Sequence, residues 1–242
     1  MRFDLANFNQ TNLPEPVGAM PKNLQISHVG LRLLDLCIRT PGTGWAPTAD
    51  LGDLGAFGWV LASAASWEAK RSPLEYVYVT VDQRPVAPWS TQRRAGLHGD
   101  AWVASPDGAR RDVAQDGMAG AVLSDEAERT YLWSDTLPTE FLPGPFDLGA
   151  DCQEALERME EQSRDMRVVT YPNRTLLALS PYCVHRAATN LTGSPVGRTL
   201  IKLSFSRHRY NRAGNSLNPA VDYSGWQWRE REATARNHRW TA

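Results

Sequence analysis

A chain of 242 residues, 42% hydrophobic and 22% charged, has the size and composition of one full globular core, which excludes a disordered or fibrous protein. Its 26 Lys and Arg balance 27 Asp and Glu, so no global field favours a polyanion; a small-molecule partner is expected and nucleic acid is disfavoured. Three cysteines at long, irregular spacing (Cys37, Cys152, Cys183) exclude a disulfide framework, and no apolar run suits a signal peptide or a membrane span, so a soluble, cytoplasmic monomer or homodimer is expected.

Glycines (18) and prolines (16) are scattered, which favours short elements joined by turns and hence a β-rich fold in a single domain. Residues 1–73 read as an arm followed by helices. The first 20 are irregular, and the apolar segments 23–29 and 31–38 fit either a strand or a short helix. Residues 39–58 are turn-like, and WVLASAASWEAK (59–70) is rich in helix formers until Ser72-Pro73 stops it. A strand-rich core is expected over 74–210. Its first strand, LEYVYVTV (74–81), puts Tyr76, Tyr78 and Thr80 on one face and Val77, Val79 and Val81 on the other. Further strands are predicted at 97–104, 119–125, 129–135, 166–171, 174–180 and 198–206, with a turn at 134–141 and an inserted helix over 151–166. Residues 211–242 form a C-terminal extension. This pattern predicts a mainly β jelly roll with flanking helices and a concave mouth between its sheets.

Histidine chemistry has only five residues to draw on: His28, His98, His185, His208 and His238. Within the strand-rich region lies His98-Gly99-Asp100, and His185 follows far downstream in SPYCVHRAAT. Residues i and i+2 of a strand share a face, so His98 and Asp100 can reach one ion while Gly99 turns away. Two imidazoles and one carboxylate are the facial set that binds non-haem ferrous iron and leaves positions open. Arg198 then opens the strand RTLIKLSFS, where an inward guanidinium can clamp a carboxylate.

This ordered set resembles the iron(II)- and 2-oxoglutarate-dependent dioxygenases, over roughly residues 74–210. The resemblance implies a double-stranded β-helix (cupin-like) core, metal ligands at His98, Asp100 and His185, and Fe(II), 2-oxoglutarate and O2 as cofactor and cosubstrates. It implies that 2-oxoglutarate chelates the metal, that Arg198 pairs with its 5-carboxylate, and that its decarboxylation to succinate drives oxidation of an unactivated C–H bond. Asp100 disfavours halogenation, since halogenating members carry a small residue there. Lys202 shares the face of Arg198 and is the alternative partner of the 5-carboxylate. Tyr78, on the preceding strand, stands where the family often places a cosubstrate ligand, although core packing also accounts for it.

Trp102, Arg94 and Arg209 are candidate substrate contacts by their closeness to the motif or to the end of the last core strand. His28 reads as an edge residue, and His208 and His238 as surface. Trp226 and Trp228 fit core or interface packing, or stacking on a nucleobase. The leading expectation is an oxygenase of a small polar metabolite or natural-product intermediate. Its rivals are a nucleobase oxygenase of the same superfamily and a non-catalytic metal-binding cupin, whose usual HxH signature is missing here.

Overall fold

The computed structural model describes residues 4–52, 54–71, 75–93, 95–100, 128–148, 152–207 and 209–228. Its strands are β1 (Glu15–Ala19), β2 (Arg32–Arg39), β3 (Tyr76–Val86), β4 (Glu128–Ser134), β5 (Glu140–Leu142), β6 (Thr175–Leu179), β7 (Val184–Arg186) and β8 (Val196–Ser206). Helices α1 (Ala49–Gly52) and α2 (Ala56–Glu68) precede β3, and α3 (Cys152–Gln162) lies between β5 and β6. Six strands form an antiparallel sheet in the order β1-β6-β4-β8-β3-β2, and β5 and β7 form a small second sheet facing it. This is the mainly β, cupin-like jelly roll expected from the sequence.

The large sheet buries both faces, for different reasons. Its outer face carries Val77, Val79 and Val81 of β3, Tyr131 and Trp133 of β4, and Ile201, Leu203 and Phe205 of β8, packed under Phe57, Val60 and Ala64 of α2. Helix α2 starts three residues earlier than predicted, because Gly55 turns the chain at a φ of 65°. A Cβ there would lie 2.6 Å from the Gln25 carbonyl oxygen, so no other residue fits. At its other end, Glu68 takes the buried Arg129 guanidinium from Nε (2.6 Å) and Nη2 and the Tyr131 hydroxyl, which staples α2 to β4.

The inner face meets the small sheet through Leu132, Leu177, Leu179 and Leu200 against Phe141 and Cys183. Behind the small sheet, Met159 of α3 and Phe8 of the N-terminal turn close a second cluster with Leu142, Val184 and Leu97. No helix among the described residues is long and apolar enough to cross a membrane.

Four expectations change. The irregular arm contains β1, an edge strand on β6, where a proline donates no hydrogen bond and none is needed. The predicted strand 166–171 contributes only a bridge from Val169 to Phe141, and the predicted turn 134–141 ends inside β5. Of the predicted strand 97–104, His98 makes one bridge and 101–104 lie outside the described residues, as does 119–125.

Candidate metal centre

The site starts from backbone pairing. His98 and His185 face each other as an antiparallel bridge, each N–H donating to the other's carbonyl at 3.0 and 2.9 Å. Directly opposed residues project to the same side, so the two imidazoles meet with centroids 4.5 Å apart, and Phe141, the next residue across, abuts His185 at 5.7 Å. Each ring is held at Nδ1 by a carbonyl: Gly96 for His98 at 3.2 Å and Cys183 for His185 at 2.9 Å. A carbonyl only accepts, so Nδ1 carries the proton and Nε2 keeps its lone pair for a ligand. Burial and the neighbouring His185 push the His98 pKa down to about 4, which keeps it in the neutral, metal-binding form.

Asp100, at a bend two residues beyond His98, completes the group: ligand atoms of His98, Asp100 and His185 all lie within 4.8 Å of one another. Asp100 Oδ2 stands 3.7 Å from His185 Nε2 and, although this atom is buried, has no hydrogen-bond partner among the described residues. Burial alone would raise its pKa; Lys202, His185, His98 and Arg93 together outweigh that and hold the carboxyl well below the usual range. An anionic oxygen without a donor, beside two imidazole lone pairs, is a set of acceptors with nothing between them to donate. A divalent first-row metal fits such a set, and three protein ligands leave further coordination positions open.

Two cations share the inner face of β8, as alternation predicted. Lys202 Nζ lies 3.7 Å from Asp100 Oδ1. Arg198, 2% exposed, lies apart: its Nε donates to the carbonyls of Thr136 (3.1 Å) and Leu137 (3.0 Å), Nη1 to Gln92, and Nη2 to the Thr139 hydroxyl at 3.5 Å. All four partners are neutral, and among the described residues no carboxylate comes within ion-pair distance. Gln92 is itself fixed by donating to the carbonyls of Asp82 and Arg198. Neither Gln92 nor Thr139 was legible, because a lone polar residue in a turn-rich stretch carries no pattern.

The Tyr78 ring stacks on Tyr210 at 4.3 Å and its hydroxyl accepts the Tyr210 N–H, so it lines the inner wall without reaching the triad in any described contact. Arg209 reaches away, its guanidinium 5.2 Å over the Trp226 ring and bonded to the Gly225 carbonyl. Trp226 packs with Tyr223, Trp228 and Tyr76. Trp102 and Arg94 lie outside the described residues, as do His208 and His238. His28 is exposed at the edge, 3.9 Å from Asp135.

No protein-family model and no curated protein matches the chain. Solved structures similar to it include the non-haem alpha-ketoglutarate-dependent epimerase SnoN from nogalamycin biosynthesis, at 18% identity and a TM-score of 0.33 over 65% of this chain and 58% of that one. Others are the non-haem monooxygenase ThoJ in a nickel complex (14%, 0.34, 72% and 62%) and EvdO2 from Micromonospora carbonacea var. aurantiaca complexed with 2-oxoglutarate (14%, 0.38, 77% and 82%). The aligned region spans less than two thirds of the first two. The first two are non-haem enzymes. They are remote, and the reading of the site rests on the placement of His98, Asp100 and His185.

Proposed function

We propose that the chain is a non-haem iron(II)- and 2-oxoglutarate-dependent oxygenase that oxidises an unactivated C–H bond of a small polar metabolite or natural-product intermediate, releasing succinate and CO2. The observation that carries this reading is the convergence, within 4.8 Å, of two carbonyl-anchored imidazoles and a carboxylate with one oxygen unpartnered among the described residues. His98, Asp100 and His185 would hold the metal through Nε2, a carboxylate oxygen and Nε2. Iron and 2-oxoglutarate together supply the oxidising power; the chain supplies position and charge.

Arg198 supports a dicarboxylate cosubstrate. Every hydrogen bond of this buried guanidinium goes to a neutral acceptor and the Asp135 and Asp82 carboxylates act on it only from farther off, so a carboxylate arriving at its unused N–H groups would answer its charge directly. Burial lowers its pKa only to about 10, so it stays cationic at neutral pH. Lys202 has a different task in this reading: at 3.7 Å it keeps Asp100 ionised and adds positive charge at the metal end of the bound acid. Leu132, Leu177, Leu200 and Phe141 keep water from this half of the barrel.

The test is anaerobic addition of Fe(II) and 2-oxoglutarate to the intact protein. A weak visible metal-to-ligand charge-transfer band is expected, together with 2-oxoglutarate binding that requires the metal. Iron-loaded protein that neither develops the band nor binds 2-oxoglutarate rejects the function.

A further inference from the structure

Glu128 opens β4 opposite Ser206 of β8, which in turn opposes Tyr76 of β3, so its side chain belongs to the inner face of the large sheet. It is 1% exposed, and its Oε2 has no hydrogen-bond partner among the described residues. The next cross-strand row holds Thr130, Ser204 and Tyr78, and the one after it Leu132, Lys202 and Thr80. Glu128 is therefore four strand positions, roughly 13 Å of backbone, from the row that faces Asp100. It lies on the opposite side of that row from Arg198. The wall around it is polar yet dry: Thr130, Ser204 and Ser206 are all buried, and the Tyr78 and Tyr210 rings stack beside them. Asp35 borders the same wall, bonded to Thr80 and held at a φ of 46° that a non-glycine residue adopts only under constraint.

The Tyr210 hydroxyl reaches this carboxyl, yet Oε2 is left without a donor among the described residues, which is costly unless something else uses it. Burial raises its pKa to about 8, against the pull of the Tyr210 hydroxyl and Lys202, with Asp100 and Asp35 pushing it further up, so the group is mostly protonated at neutral pH. A neutral carboxyl both donates and accepts. A hydroxyl matches it through a single atom, whereas an ammonium group would find no anion to pair with.

We infer that Glu128 is a specificity-determining residue on the substrate side of the barrel, where its carboxyl binds a hydroxyl group of a neutral substrate while the reacting carbon lies toward His98, Asp100 and His185. This rests on the reading of the barrel as an oxygenase core. Arg198 holds the cosubstrate at one end of the inner face, and Glu128 selects the substrate at the other.

Two measurements test it without knowing the substrate. In the ligand-free protein, Glu128→Leu fills the same space without an orphaned acceptor, so its melting midpoint rises by about 2–4 °C over wild type, and Glu128→Gln melts no lower than wild type. A carboxyl kept for the fold gives the reverse, and a lower midpoint for both variants overturns the inference. In the second, the protonated carbonyl stretch missing from Glu128→Gln is followed by infrared difference spectroscopy on adding 1,4-cyclohexanediol or cyclohexylammonium. The diol shifts the band to lower frequency and the ammonium does not; no shift with the diol, or an ammonium-induced loss of the band, also overturns it. Wild type is assayed in parallel for the Fe(II)–2-oxoglutarate band. If that band is missing while both Glu128 results hold, the oxygenase reading fails and a hydroxyl-binding barrel remains; the opposite pattern removes Glu128 alone.

Discussion

Two arginines are buried in the large sheet, one on each face, and their surroundings differ. Arg129 on the outer face meets the Glu68 carboxylate, and its charge is answered within the chain. Arg198 on the inner face meets two carbonyls, an amide and a hydroxyl, and no ion pair among the described residues answers its charge, Asp135 and Asp82 acting on it only from farther off. The same contrast holds for the faces at large. Outside, Val79, Trp133, Ile201 and Leu203 form an apolar layer under α2. Inside, Arg198, Ser204 and Glu128 are buried, Lys202 and Asp100 are partly buried, and two of these oxygens find no donor among the described residues. Folding alone gains little from burying unmatched polar groups. The outer face holds the sheet together, and in the proposed function the inner one receives the ligands.

That division predicts opposite outcomes for substitutions on the two sides. The largest effect is on the inner side: His98→Ala abolishes the Fe(II)–2-oxoglutarate band, while the melting midpoint of the metal-free protein stays within a few degrees of wild type. A large loss of metal-free stability would mean that the triad serves the fold. On the outer side, Trp133→Ala should cost about 3–5 kcal/mol in urea denaturation, because it opens a cavity in a packed layer. Arg198→Met sharpens the contrast. Removing an unanswered buried charge should leave the ligand-free protein as stable as wild type or more so, yet weaken 2-oxoglutarate binding about 10- to 100-fold in titration calorimetry. Arg129→Met should do the reverse, destabilising the fold through the stranded Glu68 carboxylate.

The smallest effect is a slope. Glu128 titrates at about 8 in the folded chain against 4.5 for an ordinary glutamate. Between those values the folded state holds a proton that the unfolded state has released, so stability falls as pH rises and levels off above the upper value. Glu128→Gln removes this contribution. Urea midpoints of the two proteins should therefore diverge with rising pH, and parallel profiles would place Glu128 in water.

Much of this division was legible in the sequence. Alternation in YVYVTV and TLIKLSFS separates the two faces residue by residue, and the HxD spacing with a later histidine gives the triad. What escaped had physical reasons. β5 and β7 are three residues each, too short for a period, so the strand that carries His185 left no trace as a strand. β1 was hidden by prolines that an edge tolerates. Glu128 stands just before the residues whose pattern marked β4, where a charge reads as a solvated strand end; only the pairing with Ser206 reveals that it is enclosed. Arg129 and Glu68 are far apart in sequence, and a buried pair of that kind has no local signature.

The mutual hydrogen bonds between the peptide groups of His98 and His185 would also bear on how quickly a metal held there exchanges. The separation of the two ring nitrogens is set by main-chain pairing that exists before any ion arrives, so capture demands little ordering and release gains little freedom. The chelate bite should then be insensitive to substitutions nearby, and a change of ligand type at either position would retune metal preference on an unaltered frame.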